Sequence, residues 1–232
     1  MSNSSLVVYT KLSPHNKGKR TVAIERITPH CVVGQCSIEA LGAEFSKANK
    51  VASSNYGIDK DGRVGLFVSE DSRSICSSSS DNDNRAVTIE CASDTTAPWA
   101  FRPIVYTTLV RLCINICQRN GKTRLVWIAD KDTALAYKPK SNEMLLTVHR
   151  WFANKSCPGD WLMERMDDLV DKVNSVITPV ETHWYDTAMS WAERNEIMMD
   201  GRPNDPVTRA EVATMLMRYH AKFGNNDAAV GQ

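Results

Sequence analysis

Residues 86–128, AVTIECASDTTAPWAFRPIVYTTLVRLCINICQRNGKTRLVWI, pass from a strand through a helix to a second strand. In AVTIEC the side chains alternate, with Val87, Ile89 and Cys91 on one face and Ala86, Thr88 and Glu90 on the other. From residue 103 to 120 the period lengthens. Val105, Leu109, Leu112 and Ile116 form one apolar stripe, and Asn120-Gly121 ends the helix. Leu125 to Ile128 reads as a buried strand. Strands alternating with helices call for layers, so the expected fold class is α/β.

Toward the N-terminus, VAIERIT (22–28) reads as a strand that stops at Pro29-His30. Ser37 caps a helix in which Ile38, Leu41 and Phe45 recur. SNYGIDKDGRVGLFV (54–68) reads as a hairpin turning at Asp59-Lys60-Asp61-Gly62, with Gly62 at positive φ. Residues 1–20 read as an irregular arm, and SSSSDNDN (77–84) as a flexible surface loop. Toward the C-terminus, Leu145 to His149 reads as a strand with Leu145, Thr147 and His149 on one face. A helix starting at Pro158 carries Leu162, Met166, Leu169, Val173 and Ile177 inward. Thr178-Pro179 marks a boundary, giving a first domain over 1–178 and a small helical module over 179–223. In that module WYDTAMSWAERNEI and TRAEVATMLMRYH are helical patterns separated by Asp200-Gly201-Arg202-Pro203, and the tail 224–232 is expected to be disordered.

Composition narrows the function. With 42% hydrophobic and 24% charged residues the 232-residue chain is globular, and no apolar run reaches the roughly 20 residues of a membrane helix. A formal net charge of +1 argues against electrostatic capture of nucleic acid. The N-terminus lacks a basic start followed by a long apolar run, so no signal peptide is expected. Seven cysteines then read as thiols, packing residues or metal ligands before disulfides.

Three zinc-type ligands stand at positions suited to a site: His30 after a strand, His149 at a strand end, and Cys157 eight residues later, before a helix start that favours a thiolate. Taken singly, each reads more simply as a satisfied histidine or buried cysteine. Cys113 and Cys117 share a helix face and read as packing. Cys31 and Cys36 flank VVGQ with His30 beside them, without the second pair that a zinc finger needs. His15, His183 and His220 read as surface or packing residues, and Trp99, Trp127 and Trp151 either stack on sugars or are partly buried.

Four motifs in order change that balance: ITPHCVVG (27–34), SSNYGIDKDG (53–62), RAVTIECAS (85–93) and TVHRWFANKSCPGDWL (147–162). Together they resemble family-two N-acetylmuramoyl-L-alanine amidases, which include phage endolysins, autolysins and peptidoglycan recognition proteins, over about residues 20–175. The resemblance implies a mixed central β-sheet flanked by helices. It also implies one Zn2+ bound by His30, His149 and Cys157, and hydrolysis of the bond between N-acetylmuramic acid and L-alanine of peptidoglycan. Glu90 matches the family's proton-transferring glutamate, Lys155 a lysine near the metal that stabilises an oxyanion, and Tyr56 a tyrosine held over the zinc. Residues 131–143 depart from the expected pattern.

In the module, Trp191-Ala192, Asp200-Gly201 and Thr208-Arg209-Ala210-Glu211 resemble one surface-layer-homology repeat, with Thr208 and Glu211 forming a capping box. The resemblance implies binding of a secondary cell-wall polymer around Arg209. A single copy suggests self-association or weak assistance. The expected role is an endolysin, made in a host cytoplasm and released onto the wall, with no nucleic-acid or membrane partner. The alternative is a recognition protein that binds peptidoglycan without cutting it; the retained ligands, Glu90 and Lys155 favour the enzyme.

Overall fold

A computed structural model describes residues 3–49, 51–179, 184–198 and 202–224. The chain divides into two compact units, Met1–Pro179 and Val180–Gln232.

The first unit is built on a seven-stranded mixed sheet in the order β1-β4-β3-β5-β2-β7-β6. Its strands are β1 (Val7–Thr10), β2 (Arg26–Cys31), β3 (Tyr56–Ile58), β4 (Val64–Leu66), β5 (Ala86–Cys91), β6 (Arg124–Val126) and β7 (Glu143–Leu146). Among the described strands, β3 and β4 pair antiparallel through the hairpin and the other pairs are parallel. Gly62 takes φ +80° at the hairpin turn, where a side chain would also collide with Ile104 and Thr108.

Helix α3 (Pro103–Arg119) and helix α6 (Met166–Ile177) pack together. Val105, Leu109, Leu112 and Ile116 of α3 join Ile27, Val87, Ile89 and Cys91 in one core, as do Leu162, Met166, Leu169, Val173 and Ile177. The other sheet face is covered in two places. Helix α1 (Ile38–Glu44), capped by Ser37, presses Ile38 and Leu41 onto Gly65 and Gly57, where a Cβ would come within 2.6 Å of them. Helix α2 (Ser80–Arg85) lays Asn82 across β2 and the end of β7, its amide bonding Thr28 and Thr147.

Several expectations need correction. The N-terminal arm contains β1, paired with β4 at the sheet edge, because an extended segment beside a free edge completes a ladder. Strand β2 runs through Pro29 and His30 to Cys31; Pro29 lies past the last β2–β7 pair, Ile27–Leu146, so its missing N–H breaks no rung there. Strand β7 ends at Leu146, and His149 opens a single 3-10 turn over His149–Trp151. The polar run 77–84 is not a flexible loop. Ser79 caps α2, Asn82 and Asp83 are buried, and the Asp83 carboxylate accepts from the N–H groups of Cys76 and Ser77. Polar composition misled here because its hydrogen bonds are spent inside the protein. The segment 131–143 forms α4 (Lys131–Ala136), capped by Asp130, and leads into β7. After Cys157 the chain forms α5 (Asp160–Met163) and then α6, so Pro158 is not a first helical residue.

In the second unit α7 (Asp186–Arg194) and α8 (Arg209–Phe223) carry the helical patterns. The Thr208–Glu211 capping box is present in both directions. Trp191 stacks on Phe223 with ring centres 5.7 Å apart. His183, the Asp200-Gly201 turn and the tail beyond Gly224 lie outside the described residues.

Candidate metal centre

The register of the central strands places the site. His30 on β2 faces Glu90 on β5, and Thr28 faces Thr88 one step back, so all four side chains leave the same sheet face. This face is polar: Thr28 and Thr147 share a hydrogen bond of 2.8 Å, and Thr88 bonds Ser54 and Ser74. A row of satisfied hydroxyls thus leads to His30, which is 1% exposed.

His149 and Cys157 close on His30 from the segment after β7. One ligand atom from each of the three residues lies within 4.8 Å of the others. The rings of His30 and His149 stand edge to face with centres 5.0 Å apart, and His30 Nδ1 is 3.3 Å from Cys157 Sγ. Two ligands of one tetrahedral zinc ion, one nitrogen and one sulfur, would stand about 3.5 Å apart. The loop that brings Cys157 in is pinned by Arg150, whose guanidinium bonds Asp160 at 2.9 Å and whose N–H bonds the Cys157 carbonyl at 3.0 Å.

Both imidazoles are held neutral, the form that ligates metal. Burial, with His149 adding to it, pulls His30 down to about 3. Burial and the nearby Lys155 charge lower His149. The Cys157 thiol is held well above its ordinary value by its hydrogen bond with the Cys31 thiol, by burial and by the Glu90 carboxylate. The helix start expected to favour a thiolate is absent: α5 begins at Asp160 and has four residues. A cation has to displace the Cys157 proton itself.

The donor set fits a zinc-type ion: two neutral imidazoles and a thiol, with His30 Nδ1 facing Cys157 Sγ. Ser78 adds a feature that the sequence reading missed. Its Oγ lies 2.9 Å from His149 Nε2. When Nε2–H donates to that oxygen, the Nδ1 lone pair is left for a cation. Ser78 adopts φ 63°, a strained conformation for a residue with a side chain, between the anchors that Asp83 provides. A serine in a run of serines carried no local signal.

The other expected site residues separate. Glu90 is half-buried, with Cys76 Sγ 3.7 Å from its Oε1. Lys155 is exposed on the loop before Cys157, near enough for its charge to act on His149. Tyr56 is elsewhere. It pairs with Ile89 rather than Glu90, so it points to the α3 side, where its hydroxyl bonds Glu70 at 2.6 Å and Glu70 is gripped by Arg119. Cys113 and Cys117 are buried in the core, and Trp127 stacks parallel on Trp151 with centres 5.2 Å apart.

A family model described as N-acetylmuramoyl-L-alanine amidase (Amidase_2) matches residues 20–160. Among solved structures, the Staphylococcus aureus hydrolase AmiA in complex with its ligand aligns with a TM-score of 0.52 at 14% identity, covering 72% of this chain and 80% of AmiA. A mutant endolysin from Bacillus subtilis aligns with a TM-score of 0.50 at 13% identity, covering 75% and 99%. A selenomethionine derivative of AmpD aligns with a TM-score of 0.50 at 17% identity, covering 73% and 99%. At these identities the likeness is one of fold. No curated protein sequence matches the chain.

Proposed function

The chain belongs to the N-acetylmuramoyl-L-alanine amidase family, and on that premise we propose that it is a zinc-dependent peptidoglycan amidase cutting between N-acetylmuramic acid and L-alanine. The observation that carries the zinc reading is the convergence of His30, His149 and Cys157, three residues from distant parts of the chain, within 4.8 Å at their ligand atoms. One Zn2+ held there supplies Lewis acidity toward a carbonyl oxygen and a water.

The remaining steps belong to the side chains. Glu90 faces the site from the strand beside His30; its carboxylate takes the proton of the attacking water and returns it to the amide nitrogen as the bond breaks. Lys155 reaches the site from its exposed loop, and its ammonium offsets negative charge developing on the scissile carbonyl oxygen. Ser78 holds the His149 ring in one orientation and one tautomer. Thr28, Thr147 and Asn82 pack the floor with paired hydroxyl and amide groups, fixing β2 against the β7 end.

The role proposed for this activity is that of an endolysin, with the second unit assisting at the wall. Arg209 is exposed at the start of α8, open to an anionic wall polymer. A chain ending at Pro179 is expected to bind walls less well than the full chain.

Defined muropeptides incubated with the purified protein test the enzyme reading. Release of the stem peptide, abolished by a chelator and restored by zinc, is the expected result. Binding without cleavage at stoichiometric zinc would replace the enzyme with a recognition protein.

A further inference from the structure

Cys76, Glu90 and His30 make a second group of ligand-type side chains, each offering an atom within 4.8 Å of the other two. None of the cysteines in the sequence reading was assigned there. Cys76 reaches the site because the Asp83 carboxylate bonds its backbone N–H at 3.0 Å, turning the thiol toward β5. We propose that these three residues form a second cation position beside the first, selective for soft or borderline divalent ions, and that filling it silences the enzyme.

The geometry suits an ion. Cys76 Sγ and Glu90 Oε1 lie 3.7 Å apart. A tetrahedral ion about 2.3 Å from sulfur and about 2.1 Å from oxygen spaces those atoms about 3.6 Å apart. The third ligand is His30, whose two ring nitrogens differ. Nδ1 faces Cys157 Sγ at 3.3 Å, whereas Nε2 is buried and has no hydrogen-bond partner. A buried nitrogen with no partner is costly, and a cation would satisfy it.

The donor set decides the class of ion. A thiol, an imidazole and a single carboxylate favour Zn2+ or Cd2+ and offer little to Mg2+ or Ca2+, which want several oxygens. Capture exchanges the Cys76 S–H for a sulfur–metal bond, and the proton leaves to buffer. Both positions draw on the one His30 ring, and a cation held through one of its nitrogens weakens the other as a donor. The second therefore fills at cation excess or when the first has lost a ligand. Its effect on turnover rests on the reading of Glu90 as the proton acceptor, since a carboxylate bound to a cation is no longer a base. The binding itself does not depend on that reading.

Cadmium titration of the full-length, metal-free Cys157→Ser variant tests the binding, read by thiolate-to-cadmium absorbance in the ultraviolet. One equivalent is expected to raise the band, and the Cys76→Ser/Cys157→Ser double variant is expected to lose it. No band in the single variant, or an undiminished band in the double one, overturns the site. If Cys157→Ser does not fold, Cys157→Ala with and without Cys76→Ser gives the same comparison. For silencing, each protein's hydrolysis in excess zinc is compared with its own rate at stoichiometric zinc. Loss in the wild type that Cys76→Ser relieves supports the proposal; equal loss in both refutes the silencing while leaving the cadmium result to stand or fall separately.

Discussion

The two faces of strands β2 and β5 carry opposite burdens. On one, Ile27, Val87, Ile89 and Cys91 disappear into a core with α3 and α6. On the other, Thr28, His30, Thr88 and Glu90 meet hydroxyls, amides and the ligand-bearing segment after β7. One residue step separates them, because side chains alternate along a strand. The apolar face gains stability from area removed from water. The polar face keeps its buried polar groups because most of them are hydrogen-bonded, and His30 Nε2 is among the atoms left over. Stability and function therefore respond to different substitutions at adjacent positions.

The largest expected contrast comes from Glu90→Gln. It should leave zinc content and thermal unfolding near wild type while lowering turnover by about 10²–10⁴-fold, the usual worth of a general base. Full activity in a zinc-loaded Glu90→Gln protein would remove the polar face's catalytic role. On the opposite face Leu112→Ala, at a fully buried position of α3, should cost about 2–5 kcal/mol in denaturant unfolding. The fraction that remains folded should keep its zinc affinity; a loss there would show that the faces are not separable.

Ser78→Ala probes the border between them. Removing the hydrogen bond to His149 Nε2 is expected to weaken metal binding by about 10–100-fold in chelator competition, with little change in unfolding. The smallest effect belongs to the surface near α1. The hydrogen bond from Arg63 holds Glu39 down to about 2, assisted by a backbone hydrogen bond. Its folded value is depressed, so its contribution to stability is complete above the ordinary glutamate range and is lost as pH falls toward 2. The acid limb of an unfolding-versus-pH curve should be slightly shallower in Glu39→Gln, and an unchanged limb would make the pair irrelevant to stability.

How much of this was legible beforehand varies with the range of the interaction. Helix α3, the hairpin and the inward stripe Leu162 to Ile177 followed from periodicity and turn chemistry, which act within a few residues. His30, His149 and Cys157 were named through ordered motifs, and the structure brings them together. Tyr56 was misplaced because a motif match does not say which sheet face a residue takes, and the parallel register with β5 turned it toward α3. The segment 77–84 was misread because its polar side chains bond Thr28, Thr147 and the Cys76–Ser77 backbone, partners that local composition cannot reveal.

The linear chain by itself determined the alternation of strand and helix, the apolar stripe of each helix, and which residue types could hold a metal, since these depend on neighbours a few positions away. Only the folded molecule decided that His30 and Glu90 share a face, that Ser78 reaches His149, that Cys76 reaches Glu90 and that Tyr56 does not join them. The reason is strand register. A shift of one residue between two parallel strands sends every side chain to the other face, and that pairing is set by packing across the whole sheet.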